Sequence, residues 1–204
     1  MSVNYRIGAV ALTVTIALTV SVAAQQPAHQ DHAMKEPAKI SVPAMNDAEF
    51  IMMMTEHHQG AIEMCKIEES RGSRDAVKAL AAKMRDAQER EVKEMASSPA
   101  NHANMPTMAP DAKGSAGHEG HGSMMQKHHQ MMQQETMASK KRLEIASGAA
   151  VDSTFLEEMT KHHQGALEMI SKAKLKDASL RKLSQKMAAD QKREIGEFKK
   201  LQAR

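Results

Sequence analysis

Residues 50–64 read FIMMMTEHHQGAIEM and residues 155–169 read FLEEMTKHHQGALEM. Both stretches hold a phenylalanine, a methionine four residues on, a His-His-Gln-Gly-Ala run and a closing Glu-Met, so one structural unit occurs twice. In the second copy Phe155, Met159, His162, Ala166, Met169 and Ala173 recur at alternating steps of four and three, the inward stripe of an amphipathic helix. Leu156, His163, Leu167 and Ile170 flank that stripe. Both histidines therefore border a core, where imidazole is poor filling. Gly60 and Gly165 follow the histidines inside the helix, at a cost of about 1 kcal/mol each relative to alanine. The pattern implies a gain that offsets both costs.

A matching second helix follows each copy: Lys83-Met-Arg-Asp-Ala-Gln-Glu-Arg-Glu91 corresponds to Lys186-Met-Ala-Ala-Asp-Gln-Lys-Arg-Glu194. The chain thus contains two like helical hairpins, 46–98 and 149–204. Helices are expected over 47–70, opened by Asn46 with Glu49 three residues on, and over 74–97, opened by Ser73 and closed before Pro99. In the second hairpin, Asp152 or Ser153 opens one helix that reaches Ala173, and another starts near Asp177. A further helix over 123–147 lies in the crossover, on the side or end of the bundle. No segment alternates with period two. The expected fold is all-α, a ferritin-like four-helix bundle made of two repeated hairpins plus a crossover helix. Phe50, Leu80, Phe155, Leu183 and Ile195 are expected in its core.

The flanks read differently. Arg6 and the apolar run 7–20, followed by small residues up to Ala24, form an export signal over 1–24. The run is short for a membrane span; an uncleaved anchor is the alternative. The chain after it is expected to be periplasmic or secreted, with no stable membrane insertion. It retains about 180 residues, enough for one packed domain plus tails. Residues 25–45, with Pro27, Pro37, Pro43, His29, His32 and Met34, read as a tail. Residues 99–122, rich in proline, glycine, methionine and histidine, read as a flexible loop.

Composition excludes several functions. With 28 basic and 25 acidic residues the chain is too balanced to imply a nucleic-acid partner, and 3 phenylalanines and 1 tyrosine supply no stacking platform. Cys65 is the only cysteine, so no internal disulfide staples the fold. It reads as a small buried thiol more than as a ligand. The unusual residues are 19 methionines and 11 histidines, soft and borderline metal donors respectively.

Met54 stands one turn before His57 and His58, and Met159 one turn before His162 and His163; Met64 and Met169 stand two turns after the first histidine of each pair. A thioether and an imidazole one turn apart can hold one ion, and that pairing selects copper(I) or silver(I), with copper(II) or zinc admitted by imidazole alone. The glycines then let a neighbouring backbone approach where the ligands crowd. The competing reading is ordinary core: methionine filling, and histidines satisfied by Gln59, Gln164, Gln88 or Gln191. In the crossover helix Met124 and Met125 precede His128 and His129 by four residues, and Met132 follows His128 by four. These are expected to be exposed, which leaves metal capture, an oxidant sink or an irregular helix contact.

HHQGAIEM (57–64) and HHQGALEM (162–169), each followed by a helix bearing Gln-x-x-Glu (88–91 and 191–194), resemble the domain of unknown function 305 family. The resemblance covers roughly 47–200. It implies a ferritin-like helical bundle, commonly exported, with copper binding in some members, and His57, His58, His162 and His163 as the metal residues. It says nothing of the crossover methionines and histidines. A di-iron oxidase is not indicated, because Glu-x-x-His occurs nowhere in the chain. His-Glu-x-x-His is equally absent. The reading is therefore a non-enzymatic protein that sequesters or transfers copper, with a copper transporter or chaperone as its partner; the alternative is a structural or partner-binding bundle.

Overall fold

A computed structural model describes residues 42–103 and 118–203. The export signal, the tail up to residue 41 and the loop residues 104–117 lie outside the described residues. The helices are α1 (Asp47–Arg71), α2 (Asp75–Ala96), α3 (Pro99–Ala103), α4 (His118–Ile145), α5 (Ala149–Lys172) and α6 (Ala178–Gln202). Among the described residues there is no strand, only one isolated bridge between Met45 and Ala173.

The start of α1 follows its sequence: Glu49 N–H donates to Asn46 Oδ1 at 3.0 Å and Asn46 N–H to Glu49 Oε2 at 2.9 Å, the reciprocal capping box. Two other starts differ from expectation. The helix opening the second hairpin begins at Ala149, three residues before Asp152, after Gly148 turns the chain at φ 55°. Asp152 therefore caps nothing in its own helix. Its carboxylate instead accepts the N–H groups of Ser73 (3.2 Å) and Arg74 (3.0 Å) and the Ser73 hydroxyl, at the entry to α2. Ser73 is thus a donor to that cap, and α2 has no side-chain cap of its own. Asp47, the counterpart of Asp152 in the first copy, accepts from Lys176 N–H (2.8 Å) and Asp177 N–H (3.2 Å) at the entry to α6. Each hairpin caps the other's turn.

The bundle proper is α1, α2, α5 and α6: α1 packs on α2 and α5, α5 on α6, and α2 meets α6. α1 and α5 run antiparallel, for Met45 lies by Ala173 and Ser73 by Asp152. The core falls into two clusters at opposite ends. One gathers Phe50, Ile51, Met53, Met54, Met95, Met169, Leu183 and Met187. The other gathers Met64, Leu80, Met84, Phe155, Leu156, Met159 and Phe198. Ile195 is only partly buried, against the second cluster. Val42 and Met45, from the stretch read as tail, are buried in the first.

The crossover departs most from the sequence reading. Pro99–Ala103 is helical and α4 begins at His118, so part of the stretch read as loop is ordered helix. α4 lies along the side of the bundle, on α1 and α5. Glu49, Glu56 and Glu63 recur every seven residues on one face of α1 and receive His121, His129 with Gln133, and Lys140. Arg71 closes the far end by donating to the carbonyls of Leu143 (3.0 Å), Glu144 (2.6 Å) and Ala146 (2.7 Å). On α5, Glu158 accepts from Ser139 and Arg142, each at 2.6 Å.

Candidate metal centre

Between the two apolar clusters the bundle is crossed by a polar layer. α1 supplies His57 and His58, α2 Gln88 and Glu91, α5 His162 and His163, and α6 Gln191 and Glu194. The seven-residue spacing of Met64 and Met169 from the first histidines and the antiparallel crossing decide what flanks it. Met54 joins Met169 in one cluster, and Met159 joins Met64 in the other. Thioethers therefore line both sides of the layer, one from each hairpin.

The layer is nearly symmetric. The rings of His57 and His162 stack across the α1–α5 contact, with centroids 3.6 Å apart. Each lies 6.5 Å from its neighbour, His58 or His163. His58 Nε2 meets Glu91 at 3.0 Å and His163 Nε2 meets Glu194 at 2.8 Å. The carboxylate accepts the Nε2 N–H and so orients each ring. In both residues Nδ1 is buried and unpartnered, as are His57 Nδ1, His162 Nε2, Gln88 Oε1 and Gln191 Oε1. A buried polar atom without a partner costs about 1–3 kcal/mol, so the layer is expensive as it stands.

Electrostatics act in the same direction. Burial, then the proximity of His162, His58, His163 and His128, holds His57 well below the ordinary histidine range. Burial, then His163 and His58, does the same to His162. Both are neutral near pH 7 and available as donors. Burial opposes ionisation of Glu91, but His58 and then Lys186, whose Nζ donates to Glu91 Oε1 at 3.0 Å, hold its carboxyl below the usual range. Burial pushes the Cys65 thiol up, with Glu69 and Glu194 adding to it, so Cys65 is an inert core residue.

The crossover residues fall otherwise than expected. Met125, His128 and Met132 are buried, the two methionines within the cluster that holds Met54 and Met169. Only Met124 is exposed, at 45%. The reason is that α4 packs on α1 through that face. Both ring nitrogens of His128 are unpartnered, and burial lowers its pKa, with Glu168 opposing. His129 is paired with Glu56 and so is committed to docking.

Three features were misread or missed. The partners of His58 and His163 are the glutamates of the two Gln-x-x-Glu runs, not the glutamines, though the repeated spacing carried that signal. Glu158, one turn before His162, serves α4. The close approaches at the glycines come from side chains rather than backbone: a Cβ on Gly60 would lie 2.6 Å from Thr136 Cγ2, and one on Gly165 would lie 3.5 Å from His57 Nε2. Among the described residues, no three His, Cys, Asp or Glu side chains converge on one point. His57 and His162 instead lie against each other, their ring planes tilted by 34°.

The family model described as Domain of unknown function (DUF305) matches residues 47–202. The chain belongs to the DUF305 family. Among solved structures it is similar to CopM in the Cu(II)-bound form, at 26% identity and TM-score 0.57, over 78% of this chain and 97% of that one. The Ag-bound form of CopM is similar at 27% identity and TM-score 0.55, over 77% and 95% of the two chains. A DUF305 fragment from Deinococcus radiodurans shares the fold at 20% identity and TM-score 0.58, over 79% and 99%. No curated protein matches. The DUF305 chain described here has, among its described residues, no helix long and apolar enough to cross a membrane.

Proposed function

We propose that this chain is an exported, non-enzymatic metal-binding protein that takes up copper(I), or silver(I), and sequesters it or hands it to a copper transporter or chaperone. The observation that carries the reading is the polar layer: four buried histidine nitrogens without partners, at the boundary of two thioether-lined clusters. Soft sulfur beside imidazole favours copper(I) over harder ions. The glutamates behind His58 and His163 orient those rings as carboxylates orient metal-bound histidines. CopM, similar over most of both chains, has Cu(II)-bound, Cu(I)-bound and Ag-bound forms.

The experiment is titration of the purified apo-protein with copper(I) against a competing chelator. His58→Gln and His163→Gln together retain a donor for Glu91 and Glu194 but remove both imidazoles. The expected result is loss of the tight sites in the double variant with the fold retained; unchanged stoichiometry and affinity overturn the assignment. A structural bundle is the second reading, favoured by the two satisfied His–Glu pairs. It predicts that copper leaves the melting midpoint of the wild type where it was, since only a ligand that prefers the native state raises it.

A further inference from the structure

The two hairpins cap each other's turns, and one of the two joints carries a group that the other lacks. At the joint of Asp152 with Ser73 and Arg74 sits Glu68, fully buried, with neither carboxylate oxygen paired to an N–H or O–H donor. The repeat aligns Glu68 with Ala173. The equivalent joint, Asp47 with Lys176 and Asp177, thus forms with no acid in that position. Capping alone does not require Glu68. The chain even makes room for it, because a Cβ on Gly72 would lie 2.1 Å from Glu68 Oε1.

The chemistry of the pair follows from what each carboxyl touches. Asp152 is buried yet accepts three donors, and the hydroxyl and N–H groups of Ser73 and Arg74 hold its carboxyl below the usual range against burial. Glu68 stands beside Asp152 and has no N–H or O–H donor of its own. Two buried carboxylates in contact repel, whereas a proton on Glu68 removes one charge and supplies the missing hydrogen bond. We propose that Glu68 and Asp152 share one proton and form a latch that joins the two hairpins in acidic and neutral solution and releases them in alkali.

The charged groups around Glu68 agree. Burial and then Asp152, from α5, push it up to about 8, while Lys78 of α2 and Arg74 at the α2 entry pull the other way and lose. Arg71, on α1 itself, is turned to the α4 carbonyls. The latch bears on α1 and α5, the helices whose His57 and His162 stack. Glu68 stands about 16 Å along α1 from His57, at 1.5 Å per residue. Opening would therefore loosen the contact from its end without touching the histidines.

The test is a carbon-13 carboxyl titration of the full chain by NMR, with Glu68→Gln to assign the signal, or Glu68→Ala, which copies Ala173, should the first variant not fold. One carboxyl is expected to titrate near pH 8 and to vanish in the variant. Above that pH the Ser73 and Arg74 amides should exchange faster in the wild type than in the variant. A Glu68 signal titrating in the ordinary carboxylate range overturns the latch. So does a midpoint that moves on adding calcium chloride at constant ionic strength, which would mark a cation site instead.

Discussion

His162 and His163 are adjacent, yet replacing each with leucine should do opposite things. His162 stacks on His57 and lacks a partner at Nε2, and His57 lacks one at Nδ1. His57→Leu with His162→Leu removes two orphaned atoms and adds apolar area, so apo stability should be kept or raised by about 1–3 kcal/mol. His163→Leu leaves the buried Glu194 with no imidazole donor and should cost about 1–3 kcal/mol. Urea denaturation of the apo-proteins separates the two, and equal effects would mean the layer is not divided as described. The histidines were legible because a repeated pair on an apolar stripe has no bland explanation. Their division into a stacked pair and a carboxylate-bound pair was not, because it depends on Glu91 and Glu194 meeting them from partner helices 33 and 31 residues on.

Helices were legible to within a few residues wherever an apolar stripe ran, since the stripe is local. What crosses between helices was not. Asp152 looks in the sequence like a helix cap, but α5 starts three residues earlier and the carboxylate's role needs the turn of the other hairpin, at 3.0 Å. α4 is the extreme case: its methionines and histidines have no strong periodicity, and only the Glu49, Glu56, Glu63 ladder on α1 shows which face docks. The two motif glycines test this docking. Gly60→Ala drives a methyl into Thr136 of α4 and should destabilise by about 1–3 kcal/mol, the usual range for overpacking. Adding Thr136→Ser removes the obstructing Cγ2 and should restore most of that loss. Gly165→Ala meets only an ordinary 3.5 Å contact with His57 and should stabilise by up to about 1 kcal/mol through helix propensity. Thermal melts of the three variants decide it; a harmless Gly60→Ala would mean α4 does not sit where it is described.

At the scale of the whole molecule, buried groups of opposite sign set how stability depends on pH. His57 and His162 have folded pKa values below their unfolded value, so the native state binds fewer protons and stability falls as pH drops below about 6.5. Glu68 has a folded value raised to about 8, so between the unfolded glutamate value and 8 the native state binds one proton more, and stability falls as pH rises. Each uncompensated proton contributes about 1.4 kcal/mol per pH unit. His57 and His162, with His128 adding to them, outweigh the single Glu68 in acid and leave a net rise in stability up to about pH 6.5, followed by a fall up to about 8. Below 4.5 carboxylates such as Glu158, held at about 2 by Arg142, Ser139 and Lys161 against burial, add their own loss. The apo-protein should therefore be most stable near pH 6.5. His57→Leu with His162→Leu should flatten the acid limb and leave only the part due to His128, and Glu68→Gln should abolish the alkaline limb alone. Denaturation midpoints across pH 4.5–9 for the three proteins give the answer. A maximum well above pH 8 in the wild type would contradict the protonated Glu68, and an acid limb undiminished by loss of both histidines would contradict their neutral, stacked state.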